Sequence, residues 1–505
     1  MSTPTEVLFG KADFAVVCGD ATDVLKSIPS NVAHVCYCDP PYGLSSHGTE
    51  DVLACLAAWL EGKVYTHGGR GFMGKEWDAF VPGPEVWREV YRVLKPGAYC
   101  VAFSSTRTVD LLGISMRIAG GEMREGWAWI QGQGFPKNHD VSKAIDKQDA
   151  AKQWSGYGTT TKPAYEPLVV TRRPLEGTVA NNVLTHGCGA LNIDAARITT
   201  TENLNGGAFP KNKTDRHDGA ENWRYKIGGA GEFVQPPGRF PSNLALIHEG
   251  GCVRVGTNTV QGNRTDTRPE GDGGRTDKTQ YRMRPTETTK RGYSDNDGTE
   301  TVDEWHCTDT CAVQVLSEQS GDRSSPWHGN QKGNTKGRKG GMRFGGREQK
   351  ETSKHEFGDL GTAARFYYQG KASPSDRLAY LTCSPDCTAN NTVSPIKDIN
   401  GKVCPVCNSS RTVYQHPTVK PYDLAAYHAR LLSLPEHVGA VAIVPFCGTG
   451  IEARALFDLG FRVIAIDIDP RHVAMTLYRL TGAQPRLVTG TPPTTTTLDD
   501  LLGLT

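Results

Sequence analysis

The hydrophobic positions near the start of the chain form short apolar runs separated by amphipathic segments. Val32–Cys38, Ala98–Phe103 and Trp127–Ile130 are nearly unbroken apolar runs, which are typical of parallel strands covered on both faces. Between the first two, Pro84–Leu94 has helical spacing and stops before Pro96-Gly97. The pattern therefore predicts strands that alternate with helices.

The same alternation returns after residue 411, where a helix, a strand, a helix, a strand and a helix are predicted over Tyr422–Leu434, Val441–Val444, Ile451–Leu459, Val463–Asp467 and Pro470–Leu480. Neither end of the chain has enough strands for a full sheet. We therefore predict an α/β fold in which both ends build one doubly wound, Rossmann-like sheet. Its ligand crevice should lie beyond the carboxyl ends of the strands.

The middle of the chain has few apolar positions. Residues 256–300 carry eight basic and eight acidic side chains with four apolar anchors, too few to offset the conformational entropy of folding. Residues 321–357 carry nine Lys or Arg against four Asp or Glu, an excess typical of a polyanion-binding surface and also of a solvated loop. We expect 256–357 to be largely loop or disordered.

Charge and apolar runs exclude some classes of protein. Because 56 basic residues face 55 acidic ones, a polyanion would have to bind through local clusters of charge. No secretory signal is recognisable at the start, and the longest apolar run, Val52–Leu60, is well below the ~20 residues needed to span a bilayer. We expect a cytoplasmic protein without a membrane partner, whose 14 cysteines are reduced or metal-bound.

A glycine-containing turn, Phe446–Gly450, lies between a predicted strand and helix, and Asp467 ends the next strand. Glycines let the backbone approach a nucleotide-like ligand at the helix N-terminus, and the carboxylate can accept hydrogen bonds from ribose hydroxyls. The turn by itself fits a dinucleotide cofactor about as well.

Asp39-Pro-Pro-Tyr42 follows the first predicted buried strand. The two prolines fix an extended backbone and so present a carboxylate beside an aromatic face. This pair suits a planar base with an exocyclic amine: Asp39 and the Pro40 carbonyl can accept its N–H groups, and Tyr42 can stack on the ring.

With His416-Pro-Thr-Val-Lys-Pro421 and Pro445-Phe-Cys-Gly-Thr-Gly450, these motifs resemble, in content and order, the amino-group DNA methyltransferases of the permuted β class, which use S-adenosylmethionine. Further stretches also resemble phage and bacterial members of that family: Gly71–Asp78, Gly134–Lys137, Val141–Asp146, Lys162–Pro167 and Ala190–Asp194.

The resemblance implies a role for each matching residue. At the target amine it places Asp39, Pro40, Pro41 and Tyr42. Around the methionine part of the cofactor it places Phe446, Gly448, Thr449 and Gly450. It places Asp467 at the ribose, Asp20 near the adenine, and Thr418 and Lys420 beside the carboxylate. One departure is Val444, because the family usually has an acidic residue there.

The resemblance also implies a reaction. An Asp at the first catalytic position goes more often with adenine N6 than with cytosine N4, so adenine in double-stranded DNA is the expected target and cytosine N4 the alternative. The family flips the base, often dimerises, and carries target recognition between its two catalytic halves. Two other classes stay open: a nicotinamide-dependent oxidoreductase and a catalytically silent DNA-binding protein.

Cys383-x3-Cys387 and Cys404-x2-Cys407, separated by 16 residues, have the ligand spacing of a structural four-cysteine zinc site. Cys307-x3-Cys311, next to His306, is either a second half-site or a pair of unmetallated thiols. The predicted organisation is a catalytic half (1–146), a recognition region (147–380), a zinc-ribbon-like knuckle (381–410), a cofactor-binding half (411–485) and a flexible tail (486–505).

Overall fold

The computed structural model describes residues 2–69, 71, 74, 76–130, 138–145, 148–199, 236, 238–261, 299–309, 311–320, 364, 367–371, 373–384, 386–387, 391–396, 403–416 and 418–484. The predicted basic stretch and the predicted tail, 321–357 and 486–505, lie outside these residues. The same holds for 262–298.

The helices of the described residues are α1 (Pro4–Leu8), α2 (Ala21–Lys26), α3 (Thr49–Leu60), α4 (Pro84–Val93), α5 (Val109–Ile118), α6 (Gln148–Gln153), α7 (Val179–His186), α8 (Ala312–Ser320), α9 (Tyr422–Leu432), α10 (Ile451–Phe457) and α11 (Pro470–Thr481). The strands are β1 (Phe14–Cys18), β2 (Ala33–Cys38), β3 (Leu94–Phe103), β4 (Glu122–Met123), β5 (Trp127–Ile130), β6 (Tyr165–Arg172), β7 (Ile198–Thr199), β8 (Gly238–Arg239), β9 (Leu244–His248), β10 (Val253–Gln261), β11 (Thr299–His306), β12 (Tyr368–Lys371), β13 (Leu378–Thr382), β14 (Thr392–Pro395), β15 (Thr412–Gln415), β16 (Val441–Pro445) and β17 (Arg462–Asp467). The helices and strands predicted near both ends of the chain are confirmed, with boundaries shifted by a few residues.

Ten strands of the described residues form one sheet in the order β1-β17-β16-β2-β3-β6-β5-β9-β12, with β4 paired to β6. Each neighbouring pair along this order is parallel except the two that involve β6, which runs antiparallel to β3 and β5. The predicted mixing of the two ends is therefore confirmed, since β16 from the end of the chain pairs with β2 from its start.

Both faces of the sheet are covered. In β2, Val35 and Tyr37 belong to one buried cluster, which includes residues of α9 and α10. Cys36 and Cys38 point the other way, into a cluster with residues of α2, α4 and α5. This two-sided burial explains why β2 reads as an unbroken apolar run instead of an alternating one.

Three strands from the range predicted as a recognition region, β6, β9 and β12, belong to the main sheet. The sheet therefore extends past the boundary placed at residue 146. Within 256–357, where loop was expected, the structure has β10, β11 and α8, because β10 and β11 pair with each other and satisfy their backbone groups without a large core.

A separate three-stranded sheet, β14-β13-β15, packs on α11 through a small cluster that includes Tyr380, Val393 and Met475. None of the helices in the described ranges has the length and apolar character needed to cross a membrane.

Candidate functional site

The candidate site lies where the carboxyl ends of β16 and β2 meet. These strands are parallel neighbours, with Ala442 opposite Val35 and Ile443 opposite Cys36. From β16 the chain continues to β17 on one side, and from β2 to β3 on the other. This is a topological switch point, where doubly wound sheets open a ligand crevice. Asp39 follows one strand and Phe446 the other, so the structure brings the two predicted motifs together.

A buried ammonium group connects two carboxylates in this crevice. Lys420 Nζ donates to Asp39 Oδ2 at 2.8 Å and lies 3.4 Å from Glu166 Oε2, and its side chain is 4% exposed. Burial disfavours the charged amine, but Asp39 and Glu166 outweigh it and raise the pKa of Lys420 above its ordinary value. Lys420, predicted beside the cofactor carboxylate, is thus an ion-pair partner of the predicted catalytic residue.

The Asp39-Pro-Pro-Tyr42 segment is held at its far end by three hydrogen bonds. The backbone N–H groups of Tyr42 and Gly43 donate to Asp78 Oδ1 at 2.8 and 3.0 Å. The Tyr42 carbonyl accepts from Thr108 Oγ1 at 2.6 Å. These bonds fix the backbone in addition to the prolines.

The Tyr42 ring is positioned from its hydroxyl end, because its O–H donates to Glu166 Oε2 at 2.7 Å. Burial, then the neighbouring Asp39, raises the pKa of Tyr42 well above its ordinary value, so the phenol stays a donor. Lys420 Nζ also lies 5.1 Å from the centre of this ring, within the range of a cation–π interaction.

The turn at Phe446–Gly450 has a backbone conformation that side chains at its two glycines would disturb. Gly448 and Gly450 have positive φ angles of 50° and 78°, and a Cβ on Gly450 would lie 2.8 Å from Thr476 atoms. Phe446 also has a positive φ, 57°. A residue other than glycine in this region carries strain that is most often found at functional sites.

Asp467 links the turn to α11. Its Oδ2 accepts the Gly448 N–H at 2.8 Å, and its Oδ1 accepts the Asp469 N–H at 2.9 Å and lies 3.0 Å from His472 Nδ1. The other ring nitrogen of His472 lies 2.8 Å from the Tyr414 hydroxyl. A carboxylate oxygen can accept two hydrogen bonds, so Oδ2 has capacity for a second donor. Its contact with a ribose hydroxyl stays a prediction.

The remaining predicted cofactor residues lie around the same edge. Asp20 follows β1, which pairs with β17 so that Cys18 is opposite Asp467. The Asp20 side chain caps α2 by accepting a hydrogen bond from the Thr22 N–H at 2.9 Å. The Thr418 carbonyl lies 2.8 Å from His416 Nδ1. Thr449 is buried, and its carbonyl accepts a hydrogen bond from the Arg479 Nε–H at 2.7 Å. Their contacts with a cofactor stay predictions.

Three buried polar atoms at this edge have no hydrogen-bond partner within the described part of the chain: Asp39 Oδ1, Ser104 Oγ and Glu452 Oε1. Ser104 directly follows β3, the parallel neighbour of β2, and Glu452 is the second residue of α10. Leaving a buried acceptor unpaired costs about 1–3 kcal/mol. These three atoms fit a crevice in which a ligand supplies the missing hydrogen-bond partners.

The chain is similar to several solved structures, some of which are named as DNA methylases or methyltransferases. They include a Thermus thermophilus protein provisionally assigned as a DNA modification methylase, in complex with S-adenosyl-L-methionine (12% identity, 94% of this chain and 96% of that chain, TM-score 0.32). M1.HpyAVI, also in complex with SAM, matches at 10% identity over 92% and 100%, with a TM-score of 0.32. The cytosine-N4-specific PvuII DNA methyltransferase matches at 10% identity over 93% and 86%, with a TM-score of 0.36.

No family model and no curated protein matches the sequence. At such low identities and TM-scores, these likenesses do not transfer residue roles. The roles therefore rest on the contacts of this chain.

Three site residues were absent from the sequence-based prediction: Asp78, Glu166 and Glu452. Asp78 ends the Gly71–Asp78 stretch and Glu166 lies in Lys162–Pro167, so both were within segments that carried the resemblance without an assigned role. Glu452 lies two residues after the turn, but a glutamate near a helix N-terminus is ordinary. Its burial, which marks it out, is a tertiary property.

Glu452 should make stability depend on pH. Burial, then the charge of Asp39, raises the pKa of Glu452 to about 7 from the ordinary 4.5. The folded chain therefore holds a proton that the unfolded chain releases between these pH values, so the contribution of Glu452 to stability falls as pH rises through this window. As the pH rises from 4.5 to 8, the free energy of unfolding of Glu452→Gln should increase by about 3 kcal/mol relative to that of wild type. Urea unfolding measures this difference.

Glu50→Gln, at an exposed residue of α3, provides the matched control and should change the free energy of unfolding by less than about 0.5 kcal/mol. A pH-independent difference for Glu452→Gln would contradict the assignment.

The four predicted zinc ligands converge. Cys383 and Cys387 follow β13, whereas Cys404 and Cys407 precede β15, and all four sulfurs lie within 4.8 Å of one another. Cys387 Sγ and Cys404 Sγ are 3.7 Å apart, close to the separation of two thiolates on one tetrahedral zinc with bonds of about 2.3 Å. The cluster is attached to the small sheet that packs on α11.

Proposed function

We propose that this protein is an S-adenosylmethionine-dependent DNA methyltransferase that acts on an exocyclic amino group. The observation that carries the proposal is Asp39 Oδ1, a buried acceptor without a hydrogen-bond partner among the described residues. It lies at the switch point beside the strained turn of Phe446–Gly450. A carboxylate with one oxygen paired to Lys420 and the other open suits an amine that donates an N–H.

The residues of the crevice have distinct tasks in this reaction. When bound, S-adenosylmethionine would supply a methyl group on a positively charged sulfur; as the amine nitrogen bonded to the methyl carbon, the carbon–sulfur bond would break and the sulfur would keep its electron pair as a neutral thioether. Asp39 and the Pro40 carbonyl accept the two N–H groups and so orient the nitrogen lone pair. Asp39 then accepts the proton that the methylated nitrogen loses and passes it to solvent.

Lys420 holds the Asp39 carboxylate in place through the 2.8 Å bond to Oδ2. Tyr42, held by Glu166 and Asp78, presents a fixed aromatic surface on which a flipped base can stack. Asp467 and the turn glycines would hold the ribose and the methionine part of the cofactor.

We propose adenine N6 in double-stranded DNA as the target, with cytosine N4 as the alternative. Direct displacement needs no enzyme nucleophile, and no cysteine of this chain follows a proline as in cytosine-C5 enzymes. Recognition of the target sequence is assigned to the region 147–380, apart from its strands in the main sheet.

The deciding experiment incubates the full chain with S-adenosylmethionine and unmethylated genomic DNA, which offers every short target sequence. The DNA is then digested to nucleosides and analysed by mass spectrometry. We expect N6-methyldeoxyadenosine, whereas N4-methyldeoxycytidine would support the alternative.

A rise in melting temperature with S-adenosylmethionine and none with NAD would exclude the oxidoreductase. Cofactor binding without a methylated base in any DNA would instead favour a catalytically silent DNA-binding protein.

We further propose that Cys383, Cys387, Cys404 and Cys407 hold a structural zinc ion. The four thiols fit tetrahedral thiolate coordination, and the segment they join is too small for a core of its own. In the double variant Cys404→Ser, Cys407→Ser we expect the loss of one equivalent of zinc, measured by elemental analysis, and a lower melting temperature. Unchanged zinc content would contradict this site.

A further inference from the structure

A second group of metal-type ligands lies at the far end of the main sheet. His248 is the last residue of β9, and Cys252 follows in the turn before β10. Cys307 and Cys311 lie between β11 and α8. One ligand atom from each of the four residues lies within 4.8 Å of the other three.

The individual contacts place the imidazole against two thiols. His248 Nδ1 is 3.2 Å from Cys307 Sγ and 3.5 Å from Cys311 Sγ. Cys252 and Cys311 are fully buried, and His248 is 2% exposed. With bonds of about 2.0–2.3 Å, two ligand atoms on one tetrahedral zinc are expected to be about 3.5–3.8 Å apart.

The geometry points to a structural zinc site formed by His248, Cys252, Cys307 and Cys311. Three sulfurs and one imidazole nitrogen are a common zinc donor set. The spacing of the ligand atoms leaves room for one ion between them and none for a cluster of several irons.

The hydrogen bonds around His248 prepare it as a ligand. Gln369 Nε2 donates to the Ala364 carbonyl at 2.7 Å, which turns its Oε1 toward His248 Nε2 at 3.3 Å. Because Oε1 can only accept, Nε2 carries the ring proton, and Nδ1 presents its lone pair to the thiols. An acceptor on the far ring nitrogen is the usual partner of a metal-bound histidine.

The imidazole is also fixed from its face. The Trp305 ring stacks on it with centroids 4.1 Å apart and 18° between the planes. Trp305 is on β11, which leads directly into Cys307, so the strand that precedes two of the thiol ligands also fixes the imidazole.

The surrounding core is small. Its fully buried members in the described residues are Leu246, Cys252, Cys311, Val313 and Ala364. Such a cluster contributes little apolar burial, so a metal would supply much of the stability that joins the β10–β11 hairpin and α8 to the sheet.

The site has a defined place relative to the proposed active site. β9 and β2 run in the same direction, since β6 is the one reversed strand between them. The carboxyl end of β9, which carries His248, is therefore at the edge of the sheet that carries Asp39. The zinc would attach the hairpin at this edge.

The test measures zinc in the full chain and does not depend on methyl transfer. We expect two equivalents of zinc in the wild type by elemental analysis, and one after Cys307→Ser, Cys311→Ser. In the Cys404→Ser, Cys407→Ser variant, X-ray absorption of the remaining zinc should show three sulfurs and one nitrogen.

His248→Cys separates ligation from folding. It should keep its zinc, and in the Cys404→Ser, Cys407→Ser background the zinc should shift to four sulfurs. Cys188→Ser, at a buried cysteine outside both clusters, is the matched control and should retain two equivalents.

A folded Cys404→Ser, Cys407→Ser variant that takes up no zinc, even from added zinc chloride, would overturn the proposal. If that variant does not fold, the zinc content of the wild type is compared with that of Cys307→Ser, Cys311→Ser. One equivalent of zinc in both proteins would overturn the proposal equally.

Discussion

Asp39→Ala is expected to abolish methyl transfer while leaving S-adenosylmethionine binding nearly intact. The substitution removes the acceptor that orients the amine and takes its proton, and groups with such roles typically contribute at least about 10²-fold to the rate. The turn, Asp467 and the other proposed cofactor residues are unchanged. Single-turnover transfer of a labelled methyl group gives the rate, and the cofactor-induced rise in melting temperature gives binding.

Two further variants make the Asp39 test specific. Asp39→Asn keeps the volume and a side-chain oxygen but loses the charge, so transfer should be slower than in wild type by a similar order. Asp23→Ala, at an exposed aspartate of α2 paired with Lys26, should leave the rate unchanged. Full activity in Asp39→Ala would overturn the catalytic assignment.

Lys420→Met is expected to destabilise the fold as well as the reaction. It removes the ammonium between Asp39 and Glu166, whose side chains are 16% and 19% exposed. Breaking a buried ion pair by removing one partner costs about 3 kcal/mol or more, because the remaining charges lose their compensation. Urea unfolding at neutral pH measures the loss.

The double variant Lys420→Met, Glu166→Gln identifies the cause. Removing one of the two carboxylates should recover part of the stability lost in Lys420→Met, with a coupling energy of about 0.5–3 kcal/mol. Lys26→Met, in an exposed pair, should change stability by less than about 0.5 kcal/mol. Purely additive effects of the two substitutions would contradict the proposed charge network.

The predictions near both ends of the chain succeeded because each element there is specified locally. β2 and β16 read as strands from their apolar runs, and α11 begins at Pro470, a residue suited to a first helical turn. The strands of the middle region were missed for the opposite reason. β9 and β12 are short and follow polar, glycine-rich segments, and they become strands by pairing with β5 and with each other.

The candidate site shows the same division. Asp39 and the glycine turn were recognisable because proline restricts the backbone, and glycine permits conformations that other residues rarely adopt, wherever they occur. Lys420 was identified from its motif, but the bond of its ammonium to Asp39, which precedes it by 381 residues, was not predicted. No local pattern encodes such a pairing.

The two cysteine clusters differ in how far apart their members lie along the chain. Cys383, Cys387, Cys404 and Cys407 lie within one short segment, so their spacing predicted a shared site. His248 and Cys252 are separated from Cys307 by more than 50 residues, and Cys252 had no assigned role. His306, the neighbour suggested by the sequence, is not a member of the cluster found in the structure, and His248 takes that place.

The sequence by itself determined the alternation of buried strands and helices, the two motifs that follow β2 and β16, and the four-cysteine spacing, because each depends on residues close together in the chain. Only the tertiary structure decided that the two motifs share one crevice, that Lys420 and Glu166 surround Asp39, that Glu452 is buried with a raised pKa, and that His248 and Cys252 lie beside Cys307 and Cys311. These depend on strand pairing and burial, which bring together side chains hundreds of residues apart and remove the water that would otherwise screen their charges.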